Sequence, residues 1–506
     1  MLNVMHPFQH LALSLSGGGY RAAAFHLGSM AYLDQLTWQD KPLLSRLSVI
    51  STISGGTITG MKYALSLAEG KTFEQCYAEL YQFLQEDQLL GHALAMLNNH
   101  EAWANSTRQR NLINAFALVY HRELLGEKTF KTLLDLPADQ FPEMLFNSTD
   151  LENQLAFRFQ KSHGGLIGNG KANLPETAAR DLRLADIVAA SSCFPGGFEP
   201  LRFPLDFQSG PEDALAKAWE NKPELRLLDG GIVDNQGIES VLLFEARKGK
   251  QEEPFISTWF VSDVTRKELR FEEESPEKSS PFLLQFSVRA YNRWAFVFLL
   301  LAGYLLWQFM SKWVILLGAF LILSSGLWLA LSFLAVRFVA GQLKKTVSRH
   351  ASSIRNLNLL RTVPLKYVVA QLQTRLLSVG RLPDVFMKRI RDQGYNSLFS
   401  DRHWKYRVKT NLIYDLNDPK LTLGASLRAQ VEKANQMGTT LWFAEETPGT
   451  PPMLDALIAT GKATMCHNII EYIDGLRKLG TLSPDIMADL EEVQGRCKAD
   501  WAAMNG

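Results

Sequence analysis

"VISTISGGTITG", residues 49–60, is the stretch whose reading decides the fold. Val49, Ile50, Thr52 and Ile53 are residues that favour a pleated strand. Ser54 follows, and Gly55-Gly56 then turns the chain into helix-compatible sequence. The segment by itself leaves two readings of Ser54 open: a nucleophile on a sharp strand-to-helix turn, or a small residue in a tight connection. A nucleophile elbow requires tiny residues two before and two after the serine, so that the strained turn can form and the hydroxyl can project from the sheet. Here the second position is Gly56 and the first is Thr52.

Working outward, residues 10–16 form another short apolar run, closed by Gly17-Gly18-Gly19 and followed by the helically spaced "YRAAAFHLGSMAYLDQL". Strand, glycine turn and helix, repeated once, is the pattern of an α/β protein with a parallel sheet. Three glycines ahead of a helix leave backbone N–H groups open at a positive helix end, which suits an oxyanion or a phosphate. The dinucleotide fingerprint fails because Ala22 stands where its third glycine belongs. The P-loop fails because no Gly-Lys-Ser/Thr follows. An oxyanion loop of Gly17, Gly18 and Gly19 with Arg21 nearby fits better. Further on, "LRLLDGGIVDNQG" reads as a strand released by Asp229-Gly230-Gly231. An aspartate at that position is placed as a catalytic base would be, or as an ordinary Asp-Gly turn.

Residues 73–125 read as amphipathic helices able to cap the sheet, and "EMLFNSTDL", "LAFRFQ", "PFISTWFVSDV" and "KTNLIYDL" read as further strands. "RKELRFEEESPEKSSP" (266–281) is a polar linker, and long amphipathic helices are expected over about 344–395. The 506 residues carry 53 basic and 52 acidic side chains, a balance that excludes a nucleic-acid binder working through a broad basic surface. Cys76, Cys193, Cys466 and Cys497 show neither a CxxC nor a His-flanked metal spacing, as expected of buried thiols in a reducing compartment. No HExxH, EF-hand loop or Cys/His cluster occurs, so no metal, no cofactor and no calcium dependence are expected. The ten histidines carry no motif and are expected to be structural. "LALSL" is too short for a signal peptide and reads as a first strand. Two sequons, Asn105-Ser106-Thr107 and Asn147-Ser148-Thr149, stand without a secretory context and are expected to be chance.

From Trp294 to Val336 the chain contains no acidic residue, and Lys312 is its only base. The two apolar runs, 294–310 and 313–336, have 17 and 24 residues, against roughly 20 needed to cross a bilayer core. This predicts a two-helix transmembrane hairpin over 294–336 with its tip at Gln308–Lys312. Arg289 and Arg293 before it, and Arg337, Lys344, Lys345 and Arg349 after it, place both ends on the cytoplasmic side. Gly303, Gly318, Ala319, Ser324, Ser325 and Gly326 would allow close helix packing within the hairpin or in a homo-oligomer.

Taken together and in this order, Gly17–Arg21, Thr52–Gly56 and Asp229–Gly231 resemble the GGGxRG, GxSxG and DG[GA] motifs of the patatin-like phospholipases. "FNSTDL", "LADIVAASSCFPGGFEP" and "DGGIVDN" are also similar to that family's connecting segments. The resemblance covers roughly residues 10–60 and 140–240. Thr52 and Ala22 depart from the family pattern. The resemblance implies an α/β, three-layer sandwich with a mainly parallel central sheet, interrupted by the hairpin. The catalytic domain would take residues 1–280, with a helical cap at about 73–130, and 345–506. It also implies a Ser54–Asp229 dyad acting without histidine, with Gly17, Gly18, Gly19 and Arg21 at the oxyanion. The expected activity is hydrolysis of acyl esters of membrane glycerophospholipids or lysophospholipids by an integral membrane protein facing the cytoplasm. The alternative is a membrane-anchored scaffold or effector whose patatin-like fold is inactive, an idea raised by Thr52.

Overall fold

The computed structural model describes residues 5–104, 107–137, 140–208, 214–249, 254–265, 282–308, 311–346, 364–443 and 451–506. The linker at 266–281, the tip residues 309–310, Arg349 and the start of the first sequon lie outside these. The chain divides into two compact units, Met1–Leu269 with Pro383–Gly506, and Arg270–Leu382.

The first unit is built on one mixed sheet. Its principal strands are β1 (Leu11–Leu15), β2 (Leu47–Ile53), β3 (Glu143–Asp150), β4 (Leu155–Lys161), β5 (Leu225–Asp229), β6 (Thr258–Asp263) and β7 (Val408–Leu412). The order is β7-β6-β1-β2-β3-β4, continued by the short strands Ile167–Gly168 and Asn173–Leu174. Pairings from β7 to β3 are parallel, whereas β4 and β5 both run antiparallel to β3. The sheet is therefore mostly parallel, with an antiparallel edge that the strand patterns did not reveal.

Parallel strands need crossovers, and the helices supply them on both faces. α1 (Gly19–Gln35) follows β1, and α2 (Gly55–Ala68) follows β2. Between β2 and β3 lie α3 (Phe73–Glu86), α4 (Leu89–Asn98) and α5 (Leu112–Val119). α6 (Leu184–Ser192) precedes β5 and α7 (Ile238–Lys248) follows it. Alternation along β1 assigns the two layers. Leu11, Leu13 and Leu15 pack with Met30, Leu33 and Ile469, while Ala12 joins Val241, Phe244, Trp259 and Leu398 on the other side. Each fully buried aliphatic or aromatic side chain in these layers contributes roughly 1.5–3 kcal/mol. Buried polar atoms are paired within the same layers, as where Trp259 Nε1 donates to Ser14 Oγ at 3.0 Å.

The second unit holds α8 (Val288–Gln308) and α9 (Lys312–Thr346), and α10 (Leu365–Ser400) contains the boundary at Pro383. α8 and α9 form a helical hairpin in which Leu306 fills the space opposite Gly318 and Trp328 Nε1 donates to Asn292 Oδ1. Among the described residues only Lys312–Leu331 is long and apolar enough to cross a bilayer. Of the two expected spanning helices, one meets that length and apolarity among the described residues. α8 begins at Val288 and carries Arg289 and Arg293 in its first two turns, which leaves too short an uncharged stretch before Gln308. Only 11% of the apolar stretch of α9 is buried. α11 (Ala425–Gln436), α12 (Met453–Leu479) and α13 (Pro484–Asn505) complete the first unit. α12 lies along α1 closely enough that a side chain on Gly461 would collide with the Phe25 carbonyl, and one on Gly28 with that of Ile458.

Candidate active site

The register of β3 explains why Ser54 and Asp229 meet, although they are far apart in sequence. Asn147 of β3 pairs with Ile53, the last residue of β2, and the next residue, Ser148, pairs with Asp229, the last of β5. β4 occupies the whole of the other edge of β3. β2 and β5 therefore share one edge and run towards each other. They end head to head, and each delivers its C-terminal end to the same point.

At that point Ser54 adopts φ 51° and ψ −120°, a conformation that costs a non-glycine residue about 1–3 kcal/mol. Backbone hydrogen bonds hold it there. Its N–H donates to Ser191 Oγ at 2.9 Å, and its carbonyl accepts from Thr57 N–H at 2.8 Å. Asp229 is equally well fixed. Its N–H donates to the Cys193 carbonyl at 3.0 Å, its carbonyl accepts from the Thr149 hydroxyl at 2.8 Å, and Oδ1 accepts from Gly231 N–H at 2.8 Å. Burial pushes the Asp229 carboxyl up from 3.8 to about 6, against the opposing hydrogen bonds from the Ser54 side chain and Gly231 N–H. A serine hydroxyl in a strained turn thus touches a carboxylate that ionises near neutrality.

The glycine loop abuts this pair. A side chain on Gly55 would collide with the Gly19 carbonyl, and one on Gly17 would meet Ser54 Cβ at 3.2 Å. Gly18 and Gly19 have φ 148° and 61°, backbone that a Cβ disfavours. The four residues expected at an oxyanion are not equivalent. Gly17 N–H already donates to the Asn235 carbonyl at 3.2 Å, whereas the N–H groups of Gly18 and Gly19 find no acceptor among the described residues. Arg21 is buried and turned away: its Nη1 donates to the Met437 carbonyl at 2.9 Å and its Nη2 to Thr439 Oγ1 at 3.2 Å. Tyr20 N–H donates to the Thr440 carbonyl at 2.8 Å, so residues 437–440 grip the loop from outside.

Thr52, the departure from the motif, is accommodated by a second departure from bulk. A Cβ on Gly60 of α2 would collide with Thr52 Cγ2, so the missing side chain at 60 houses the extra one at 52. His26 lies away from Ser54. Its Nε2–H donates to the Ser16 carbonyl at 3.0 Å and its Nδ1 accepts from Ser262 Oγ at 2.9 Å. Burial lowers it to about 4, so the ring stays neutral and serves as a strut under the glycine loop. Sequence reasoning missed Asn147, Ser191, Asn235 and Gly60. The first three lie in segments resembling family connectors, but nothing in their spacing says which backbone group each one meets. Among the described residues no three His, Cys, Asp or Glu side chains converge as metal ligands.

Residues 13–242 match the family model described as patatin-like phospholipase, which embraces Ser54, Asp229 and the glycine loop. Among solved structures, the human GIVD cytosolic phospholipase A2 is similar at 16% sequence identity, with a TM-score of 0.32. The match covers 46% of this chain and 44% of that one, so less than half of that protein's length is represented. No curated protein matches the sequence.

Proposed function

We propose that the protein is a serine acyl hydrolase acting on glycerophospholipids or lysophospholipids, through Ser54 as nucleophile and Asp229 as base. The observation that carries this reading is the contact of Ser54, at φ 51°, with a buried carboxyl poised at about 6. The patatin-like domain match supports the substrate class. In the first half-reaction Ser54 Oγ bonds to the ester carbonyl carbon as its proton passes to Asp229. The carbonyl oxygen gains negative charge against the N–H groups of Gly18 and Gly19. The C–O bond then breaks and Asp229 returns the proton to the departing alcohol. In the second half-reaction water attacks the acyl-Ser54 ester, with Asp229 again accepting and returning a proton. Arg21 acts here by clamping the loop to residues 437–440, not by touching the oxyanion.

Anchoring to a lipid bilayer through α9 is part of the proposal. It is supported by the exposed apolar side chains of α9 and by Trp307 and Trp313 at 79% and 82% exposure beside the hairpin tip. Fluorophosphonate labelling of the full chain tests the nucleophile: wild type is modified and Ser54→Ala is not. Fatty acid release from phospholipid vesicles tests the substrate. No labelling of either protein would leave the inactive-scaffold reading standing, and labelling without phospholipid hydrolysis would overturn the substrate class.

A further inference from the structure

Three hydroxyl side chains beneath the elbow form a chain of hydrogen bonds whose direction is fixed by the backbone carbonyl at its end. Ser191 Oγ lies 2.6 Å from the Asn147 carbonyl, an acceptor only, so the single Ser191 proton is committed there. Ser191 Oγ must then accept from its two other neighbours, Ser54 N–H at 2.9 Å and Thr57 Oγ1 at 2.7 Å. The Thr57 proton is thereby used, so at the 2.9 Å contact between Thr52 and Thr57 it is Thr52 that donates. Protons therefore point one way, from Thr52 to Thr57 to Ser191 to the backbone of Asn147. All four residues are buried.

The far end is anchored as firmly. The Asn147 side chain donates to the Thr52 carbonyl at 3.0 Å, and its Oδ1 accepts from Ser240 Oγ, which accepts from Arg158 Nε at 2.7 Å. An arginine thus polarises the carboxamide that ties β3 to β2 next to the elbow. Donation to the Asn147 carbonyl makes Ser191 Oγ a better acceptor for the Ser54 N–H, and the Thr57 hydroxyl, itself held by Thr52, fixes that oxygen in place beneath the elbow.

We infer that Thr52, Thr57 and Ser191 are positioning residues that hold the Ser54 backbone in its strained conformation. Thr52 is then the starting donor of this chain, not a blemish in the motif. Glycine at position 52 would leave Thr57 without its donor and an empty space against Gly60. The inference rests on the proposed role of Ser54. It adds that the nucleophile's geometry depends on a hydroxyl that reaches it only through two intermediaries, each hydrogen bond spanning about 2.7–3 Å.

The test uses the full chain and the second-order rate of fluorophosphonate labelling, which reads Ser54 alone and not lipid presentation. Ser191→Ala strips the acceptor from a buried N–H and is expected to slow labelling about 10- to 100-fold. Thr52→Val keeps the shape, removes the donor and is expected to slow it several-fold. Thr52→Ser, which keeps the hydroxyl, labels faster than Thr52→Val. In ester hydrolysis the losses fall on kcat, with KM unchanged. A double-mutant cycle separates positioning from bulk stability: Thr52→Val adds little on top of Ser191→Ala if it acts through Ser191, whereas independent packing losses add in full. Equal labelling rates for wild type and Thr52→Val, or full additivity, overturn the inference while leaving Ser54 the nucleophile. Absence of wild-type labelling overturns the proposed function and this inference with it. Should Ser191→Ala fail to fold, the ratio of Thr52→Val to Thr52→Ser decides by itself.

Discussion

Replacing Asp229 by asparagine should destroy activity and at the same time stabilise the fold. The carboxyl is buried, and its rise from 3.8 to about 6 corresponds to about 3 kcal/mol of preference for the neutral form. A folded-state pKa above the unfolded value means that the native state binds the extra proton. The associated stability is fully present below pH 3.8 and is lost as pH rises through about 6. At about pH 7.5 wild type therefore carries most of that cost. The substituted carboxamide does not ionise, and its oxygen can still accept from Gly231 N–H, which Asp229 Oδ1 holds at 2.8 Å. Asp229→Asn is expected to gain up to about 3 kcal/mol at about pH 7.5, visible as a rise of several degrees in thermal midpoint. Near pH 4 the two proteins should melt together. Thermal unfolding of both chains at the two pH values is the assay. A variant no more stable than wild type at the higher pH, or a gain equal at both, would refute the assignment of a desolvated carboxylate to this position.

On the proposed mechanism the same ionisation sets the rate. In wild type kcat/KM should climb about tenfold per pH unit below about 6 and level off above it, whereas a flat profile from about pH 5 to 8 would exclude Asp229 as base. Gly55→Ala drives a methyl group into the Gly19 carbonyl, so activity should fall at least about 100-fold. Gly475→Ala, where the added methyl meets open space within α12, should instead gain about 0.5–1 kcal/mol with activity intact. Arg108 binds Asp186 through two 2.6 Å hydrogen bonds in a buried pair on the helix that carries Ser191. Arg108→Ala should cost about 3–5 kcal/mol in chemical denaturation, because Asp186 is left buried and uncompensated.

The strand-glycine-helix units at 11–35 and 47–68 were legible because each carries its own punctuation: an apolar run, a glycine turn and a helical period. Ser54 and Asp229 were legible as candidates for the same reason. What brings them together was not, since the antiparallel return of β5 onto β3 depends on cross-strand register that neither segment states. The separation of Gly17 from Gly18 and Gly19 was equally hidden, because the group that consumes the Gly17 N–H is the carbonyl of Asn235. Arg21 looked like part of the site by proximity in sequence. Its partners are Met437 and Thr439, which only the packed C-terminal segment supplies. Residue type likewise marked Thr52 as anomalous, while its complement at Gly60 became visible once α2 was folded back over β2. In the hairpin, Arg289 and Arg293 fall in the first turns of α8, and among the described helices the span criterion of length and apolarity is met by α9.

Because the second unit is inserted between β6 and β7, the supports of the glycine loop are made only after it. Ser54 and Asp229 leave the ribosome early, but Met437, Thr439 and Thr440, which clamp Arg21 and Tyr20, follow the entire apolar hairpin. At translation speeds of about 5–20 residues per second, the interval between Asp229 and Thr440 lasts on the order of 10–40 s. Throughout it the nascent chain carries Ser54 and Asp229 without the strap that holds the glycine loop. Birth order thus puts the apolar helices ahead of the strap, and a chain that stops short of Met437 lacks the support of its glycine loop.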